Sequence, residues 1–195
     1  MKRATISSRR AILRSPVFRF CVLLTLTVCA NAQAAKPPAA KPDENSCRRF
    51  VQDFYDWYLA HGRGGGSGAS IAPHGQRFFE HGLWEKLKAD DAAQSHADEI
   101  VGLDFDPILN SQDPSPRFRV QTAKLTGNRC DATVVGLDQG VERERILPEL
   151  GFRDGRWVFL NFHYKFEING KLQDGDLISI LNDLARDRAR TMGKK

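Results

Sequence analysis

The chain is poor in the residues that build metal and redox sites. Its 195 residues include four cysteines and five histidines. No two cysteines have the C-x-x-C spacing that is typical of zinc and dithiol sites. The histidines form no H-E-x-x-H motif or comparable ligand spacing. The sequence therefore predicts a protein with neither a bound metal nor a cofactor.

Signatures of several enzyme and ligand classes are missing as well. No G-x-S-x-G motif of a serine hydrolase occurs, and the D-x-D-x-D-G order of a calcium-binding EF-hand is absent. A glycine-rich run covers residues 62–68, but it lacks the G-K-S/T that completes a phosphate-binding loop. That run predicts a flexible surface loop, because so many glycines do not hold a helix.

The only long apolar run lies near the start of the chain. Phe20–Ala30 is shorter than the roughly 20 residues of an ordinary membrane span. It follows a basic segment without acidic residues and precedes A-x-A sites at 30–32 and 32–34. This order predicts a cleavable signal peptide over residues 1–34 and a periplasmic or secreted protein with no membrane span.

Two variants of the export signal stay open. Arg9 and Arg10 resemble the pair of a twin-arginine signal, although Pro16 and Arg19 separate them from the apolar run. Lipid attachment at Cys29 is disfavoured, because Val28 is a poor residue immediately before a lipidated cysteine.

The positive charge belongs to the leader. The whole chain has a formal charge of +5, and the leader alone holds six basic residues and no acidic one. The remainder is therefore close to −1, and it shows no basic cluster with interleaved aromatic residues. Nucleic-acid binding has little support from such a pattern.

Two cysteines, Cys47 and Cys130, remain after the leader. A single pair in an exported protein predicts a disulfide bond. The alternative is a pair of buried free thiols.

The remaining chain predicts an α+β domain. Residues 35–45 are expected to form an extended tether, and residues 46–191 one domain. Apolar residues recur at helical spacing from near Glu44, again over 74–94, and again after Asp174 or Asp176, either of which is an N-cap candidate. Between the last two helices, four runs alternate as strands do, near 118–122, 130–134, 146–152 and 157–166.

Three separated motifs resemble the signatures of DUF3828, a family of exported bacterial proteins of uncharacterised function. They are Phe54-Tyr55-x-Trp57-Tyr58-Leu59, Asp106-Pro107-x-Leu109-x-x-Gln112-Asp113, and Asp154-Gly155-x-Trp157 followed by Tyr164. The resemblance implies an NTF2-like cone, in which N-terminal helices pack on a curved four-stranded antiparallel sheet with a further C-terminal helix. It implies no catalytic residues.

The segment 99–116 contains three carboxylates, Asp104, Asp106 and Asp113, and two X-Pro steps. One interpretation is a structural loop whose side chains satisfy free backbone groups. Another is a catalytic pair, which requires burial or a like charge to raise one pKa.

The candidate pocket or binding residues are Tyr55, Trp57, Asp106, Gln112, Asp113 and His163. Strict alternation places His163 on the same strand face as Trp157 and Phe159. The export signal, the predicted disulfide and the lack of a strong catalytic motif together predict a non-enzymatic periplasmic binding or adaptor protein. Its contact surface for an envelope protein is expected on an exposed sheet face that carries Trp157 and Phe159. The alternative is a small-molecule pocket, or an enzyme, that uses Asp106 or Asp113 with His163.

Overall fold

The computed structural model describes residues 41–61, 75–97, 99–168 and 170–192. The predicted signal peptide, residues 35–40 of the tether and the glycine-rich run at 62–68 lie outside these residues.

Three α-helices and five β-strands make up the described part of the chain. A short 3-10 helix, Gly75–Arg77, precedes the second α-helix. In chain order the elements are α1 (Glu44–His61), α2 (His81–Ser95), β1 (Arg117–Thr126), β2 (Arg129–Asp138), β3 (Val141–Arg153), β4 (Arg156–Ile168), β5 (Lys171–Asp176) and α3 (Leu177–Met192).

The strands form one open antiparallel sheet in the order β1-β2-β3-β4-β5. The prediction of a four-stranded NTF2-like cone is therefore wrong. The additional strand, Lys171–Asp176, has no alternating apolar residues and its first four side chains are exposed. Strand periodicity cannot reveal it, because it is held by its backbone pairing with β4.

The helices pack on one face of the sheet, where the apolar stripe of α1 is buried. Phe54 lies at the centre, with its ring centroid 4.6 Å from that of Phe159 and 5.0 Å from that of Phe78. The other buried residues of α1 follow the 3.6-residue period of a helix; they are Cys47, Val51, Tyr55 and Tyr58.

A β-bulge interrupts the alternation of β4. Glu149 pairs with Asn161 but Leu150 pairs with Phe159, so Leu160 is an extra residue. As a result Phe159 and Phe162 both face the core, with ring centroids 5.0 Å apart. Trp157 is 5% exposed and Phe159 is 0% exposed, so the predicted contact surface around these two side chains is wrong.

The predicted disulfide bond between Cys47 and Cys130 is confirmed. It joins α1 to β2, both cysteines are fully buried, and their Cα atoms lie 6.6 Å apart. The helical layer and the sheet are therefore linked covalently within the core.

The outer edge of β1 is occupied by polar side chains of α1. Gln52 acts as a strand would: its Nε2 donates to the carbonyl of Phe118 at 3.1 Å, and its Oε1 accepts from the Val120 N–H at 3.0 Å. Arg48 adds a bond to the Val120 carbonyl at 3.1 Å. Because unpaired strand edges invite pairing with other chains, these contacts protect the edge.

Removing the disulfide with the double substitution C47A/C130A is expected to lower the free energy of unfolding by roughly 4–5 kcal/mol on the chain-entropy model. The reason is the separation of 83 residues between the cysteines, which gives the unfolded chain a large closed loop. Equilibrium unfolding in urea measures the loss, with wild-type protein reduced in denaturant as the control. A loss under about 1 kcal/mol would contradict this account.

Replacing Gln52 by leucine leaves the edge groups of Phe118 and Val120 without their side-chain partner. We expect Q52L to cost about 1–3 kcal/mol of stability and to increase light scattering at high protein concentration. The matched control is Q76L, the same change at an exposed residue of the 3-10 helix. Equal stability and scattering of the two variants would show that the edge does not depend on Gln52.

Candidate functional site

Asp106 organises the segment that joins α2 to β1. Its Oδ1 accepts hydrogen bonds from the backbone N–H groups of Ile108 at 2.8 Å and Leu109 at 3.1 Å. Its Oδ2 accepts from the hydroxyl of Tyr58 at 2.7 Å. The Asp106 N–H donates to the carbonyl of Ser111 at 3.0 Å. All of these partners are protein groups that the segment must satisfy in order to pack against the core.

Two further tyrosines bind the same segment through its backbone. The hydroxyl of Tyr55, on α1, donates to the Ile108 carbonyl at 3.0 Å. The hydroxyl of Tyr164, on β4, donates to the Pro107 carbonyl at 2.6 Å. Burial raises the pKa of both tyrosines well above the ordinary value of 10.0, so both remain protonated donors. The segment is thus held between the helices and the sheet.

Burial also raises the pKa of Asp106 above its ordinary value of 3.8, although the bonds from Tyr58, Leu109 and Ile108 act in the opposite direction. A raised pKa alone fits the catalytic interpretation. The lone pairs of this carboxylate, however, face the groups that fix the segment. Its geometry therefore favours a structural role.

The other candidates in this segment are exposed and do not converge on Asp106. Gln112 donates from Nε2 to the carbonyl of Asp104 at 2.9 Å. The N–H of Asp113 donates to the hydroxyl of Ser111 at 3.2 Å. Both contacts close turns within the segment.

His163 lies on the other face of the sheet. It neighbours Tyr164, whose hydroxyl reaches the core side, so alternation directs the His163 side chain away from the core. There its Nε2 lies 3.3 Å from Oε2 of Glu149, and Glu149 also pairs with Arg129 at 2.9 Å. The structure therefore does not bring Asp106 or Asp113 together with His163.

Trp57 is half-buried at the end of α1, not in a pocket between helix and sheet. Its ring stacks on His61, with centroids 5.6 Å apart. The guanidinium of Arg77 lies over the Trp57 ring at 5.7 Å and over the Phe78 ring at 4.5 Å. This is a cation–π cluster that packs the end of the 3-10 helix against α1.

Sequence reasoning missed a buried ion pair between α2 and α3. Arg188 donates to Oδ1 of Asp90 at 2.6 Å and to the carbonyl of Val101 at 2.8 Å. The other oxygen of Asp90, which is 1% exposed, accepts from the Leu103 N–H at 2.9 Å. The partners are 98 residues apart, so no local pattern marks them.

Glu144 is a second buried carboxylate that the sequence did not reveal. It accepts from the N–H of Ser115 at 3.1 Å and from its hydroxyl at 2.6 Å. A Cβ at Gly136 would collide with Glu144 Oε2. Glycine at this position is the one available signal, because an interior strand glycine often marks a close approach.

A cleft of about 220 Å³ lies where β3 and β4 separate. Their pairing ends at Leu147 and His163; beyond this point β3 continues beside β2, and β4 continues beside β5. The cleft is lined by Asn110, Arg143, Glu144, Arg145, Leu147 and Lys165.

Within the described ranges, no group of three or more His, Cys, Asp or Glu side chains is arranged to hold a metal ion. Among the same residues, no helix combines the length and the apolar character needed to cross a membrane.

No family model matches the chain, so the resemblance to DUF3828 stays a prediction. No curated protein matches it either. Among solved structures, the chain is similar to the crystal structure of the type VI native effector–immunity complex Tae3–Tai3 from Ralstonia pickettii. The identity is 21%, the match covers 64% of this chain and 99% of that chain, and the TM-score is 0.48.

The selenomethionine form of the same complex matches with 21% identity and a TM-score of 0.46, over 64% of this chain and 100% of that chain. The likeness concerns the arrangement of the chain and assigns no activity to it.

Asp106 and Asp176 are expected to affect the pH dependence of stability in opposite directions. Burial alone would raise the pKa of Asp176, but hydrogen bonds from Asn161 and Ser179 hold it below 3.8. Its contribution is therefore present above 3.8 and lost as the pH falls. The raised pKa of Asp106 gives a contribution that is present below 3.8 and lost as the pH rises through the raised value.

Urea unfolding of wild type, D106N and D176N from about pH 3 to about pH 7 measures both effects. The stability difference between wild type and D106N should shrink as the pH rises, and that between wild type and D176N should grow. Differences that change with the same sign would contradict the assignment.

Proposed function

We propose that this chain is an exported, non-enzymatic binding or adaptor protein whose ligand is another protein. The disulfide in the core supports export, because such bonds form and persist in oxidising compartments.

The observation that most supports a binding role is that the buried carboxylates accept hydrogen bonds that hold the fold. Asp90, Asp106 and Glu144 each accept at least two hydrogen bonds that close a loop or link two elements. In the described part of the chain, no buried side-chain nitrogen or oxygen lacks a hydrogen-bond partner. Groups that are committed in this way hold the fold and are not free to transfer protons to a substrate.

The DUF3828-like motifs support the same proposal. Tyr58 of the first motif donates to Asp106 of the second, and Tyr164 of the third donates to Pro107 of the second. The three motifs therefore meet in one hydrogen-bonded cluster that joins α1, β4 and the segment between α2 and β1, residues 96–116, called here the crossing segment. We infer membership of that family on this basis, with motif residues that serve the architecture.

The small-molecule or enzymatic alternative lacks a comparable observation. It needs Asp106 or Asp113 to act with His163. Asp106 lies on the core side of the sheet, away from His163, and the contact recorded for Asp113 is with Ser111. His163 instead faces the half-buried carboxylate of Glu149.

The test uses the mature chain, residues 35–195, to capture proteins from the periplasm of the bacterium that encodes it. A captured protein is then purified separately, and complex formation is measured by calorimetry and size-exclusion chromatography with light scattering. We expect a defined stoichiometry and a Kd of about 1 μM or tighter.

D106N and H163A serve as controls and should bind like wild type, because neither group belongs to a catalytic pair in the proposal. The proposal fails if no protein forms a complex while native mass spectrometry finds a small molecule bound. It also fails if the two variants lose that small molecule yet keep wild-type stability.

A further inference from the structure

The cleft between β3 and β4 is bordered by two strand edges that have no neighbouring strand. The pairing of β3 with β4 ends at Leu147 and His163. Beyond these residues, the part of β3 at 141–146 pairs with β2 alone, and the part of β4 at 164–168 pairs with β5 alone. Each of the two stretches therefore turns one edge of its backbone toward the cleft.

The direction of the β3 backbone follows from bonds at the far edge of the sheet. The N–H and C=O of Val120 bond to side chains of α1, so they point away from β2. Facing residues of antiparallel strands exchange both bonds or neither. Val134, which faces Val120, therefore directs its backbone to β3 and bonds with Ile146. Successive residues point to opposite edges, so the N–H and C=O of Arg145 point away from β2 and into the cleft.

The same alternation sets the direction of the β4 backbone. Leu147 points away from β2, as Arg145 does, and faces His163 on β4. Lys165 lies two residues beyond His163, so its N–H and C=O also point toward β3 and into the cleft. Arg145 and Lys165 both line the cleft. In the described part of the chain, neither residue has a backbone hydrogen-bond partner on that side.

The charged side chains around the cleft are already paired within the chain. Arg145 bonds to Glu142 at 2.7 Å, and Lys165 bonds to Asp174 at 2.9 Å. The carboxylate of Glu144, which also lines the cleft, accepts two hydrogen bonds from the crossing segment. Charge therefore gives the cleft no preference for an anion or a cation. Its unpaired groups are the backbone donors and acceptors on its two sides.

The cleft continues into two neighbouring hollows. A hollow of about 380 Å³ shares Leu147 and Lys165 with it, and one of about 480 Å³ shares Arg143 and Glu144. The three form one continuous groove across the place where the strands separate. A polypeptide in extended conformation presents alternating donors and acceptors along both of its edges, so it matches a groove of this kind. Small-molecule pockets are instead mostly apolar.

We propose that an extended segment of the partner protein enters this cleft and adds to the sheet as a short strand, bonding to the backbone of Arg145 on one side and of Lys165 on the other. The proposal rests on the proposed function and names the site that performs it. Because β3 and β4 are antiparallel, the added segment is antiparallel to one and parallel to the other. The edge of β1 is unsuitable, because Gln52 and Arg48 already occupy it.

The first test measures amide hydrogen exchange by NMR in the isotope-labelled mature chain, alone and with the purified protein captured in the test above. We expect the N–H groups of Arg145 and Lys165 to exchange about tenfold or more slowly in the complex. The N–H groups of Ile146 and Tyr164 point to β2 and β5 and serve as internal references. Slower exchange that spares both Arg145 and Lys165 would overturn the site.

The second test separates the backbone of Arg145 from its side chain. R145P removes the N–H that points into the cleft and leaves the β2–β3 bonds in place. R145A is the matched control, because it removes the side chain and keeps the N–H. We expect R145P to weaken the Kd about tenfold or more relative to R145A, and R145A to bind within about threefold of wild type. K165P against K165A repeats the comparison on β4.

L172P is a control for the open edge of β5. Lys165 points away from β5, so Asp174, which faces it, and Leu172, two residues earlier, direct their N–H groups to the outer edge. L172P removes one of these donors and should bind within about twofold of wild type. Circular dichroism and urea midpoints verify that each variant is folded, and the exchange measurement on wild type holds whether or not the proline variants fold.

The outcomes separate the site from the function. If a protein binds but each proline variant binds like its alanine control, or if L172P loses binding instead, the cleft is the wrong site and the binding role stands. If the chain alone is a dimer by light scattering and its Arg145 and Lys165 amides are already protected, a second copy occupies the cleft and the partner proposal is overturned. If no protein is captured, the proposed function and this site fail together.

Discussion

The structure depends on satisfying the backbone of the irregular segment that crosses from the helices to the sheet. Pro107, Ile108 and Leu109 are buried there, outside any helix or strand. An unsatisfied buried polar group costs about 1–3 kcal/mol, so a segment of this kind is stable only if other groups supply its partners. Asp106 and the hydroxyls of Tyr55 and Tyr164 do so, and Tyr58 in turn donates to the Asp106 carboxylate. The same bonds link α1 and β4 through the segment.

Features with a local cause could be predicted from the sequence. The apolar stripe of α1 follows from helical spacing, and Asp176 caps α3 by accepting the N–H of Ser179 at 3.0 Å. Asp154 and Gly155 form a two-residue turn with positive φ of 51° and 79°, as an Asp-Gly pair between strands indicates. The disulfide followed from the number of cysteines and the predicted compartment. Each of these signals lies within a few residues of the feature that it predicts or, for the disulfide, in the number of cysteines.

Features with a distant cause could not be predicted in the same way. The strand Lys171–Asp176 forms because its backbone pairs with the edge of β4. The bulge at Leu160 allows both Phe159 and Phe162 to pack into the core. The bulge moved the aromatic residues of β4 away from solvent, and this made the expected contact surface wrong. The Asp90–Arg188 pair joins groups that are far apart in the chain, so no periodicity marks it. For the candidate site, the residue types indicated which polar and aromatic side chains to consider. Strict alternation, however, placed His163 on the same face of β4 as Trp157 and Phe159, and the bulge puts them on opposite faces.

The motif residues and the exposed side chains of the sheet lie on opposite sides of it, and this separation bears on which positions tolerate substitution. Tyr55, Tyr58, Asp106 and Tyr164 lie on the core side, where their hydrogen bonds hold the segment between α2 and β1. Exposed side chains on the opposite face, such as Arg119, can usually be replaced with a change in stability within about 0.5 kcal/mol. The polar contacts of the core can therefore stay the same while the exposed face varies. A resemblance built on core-side motifs accordingly concerns the packing of the core and carries no information on the exposed residues that those motifs omit.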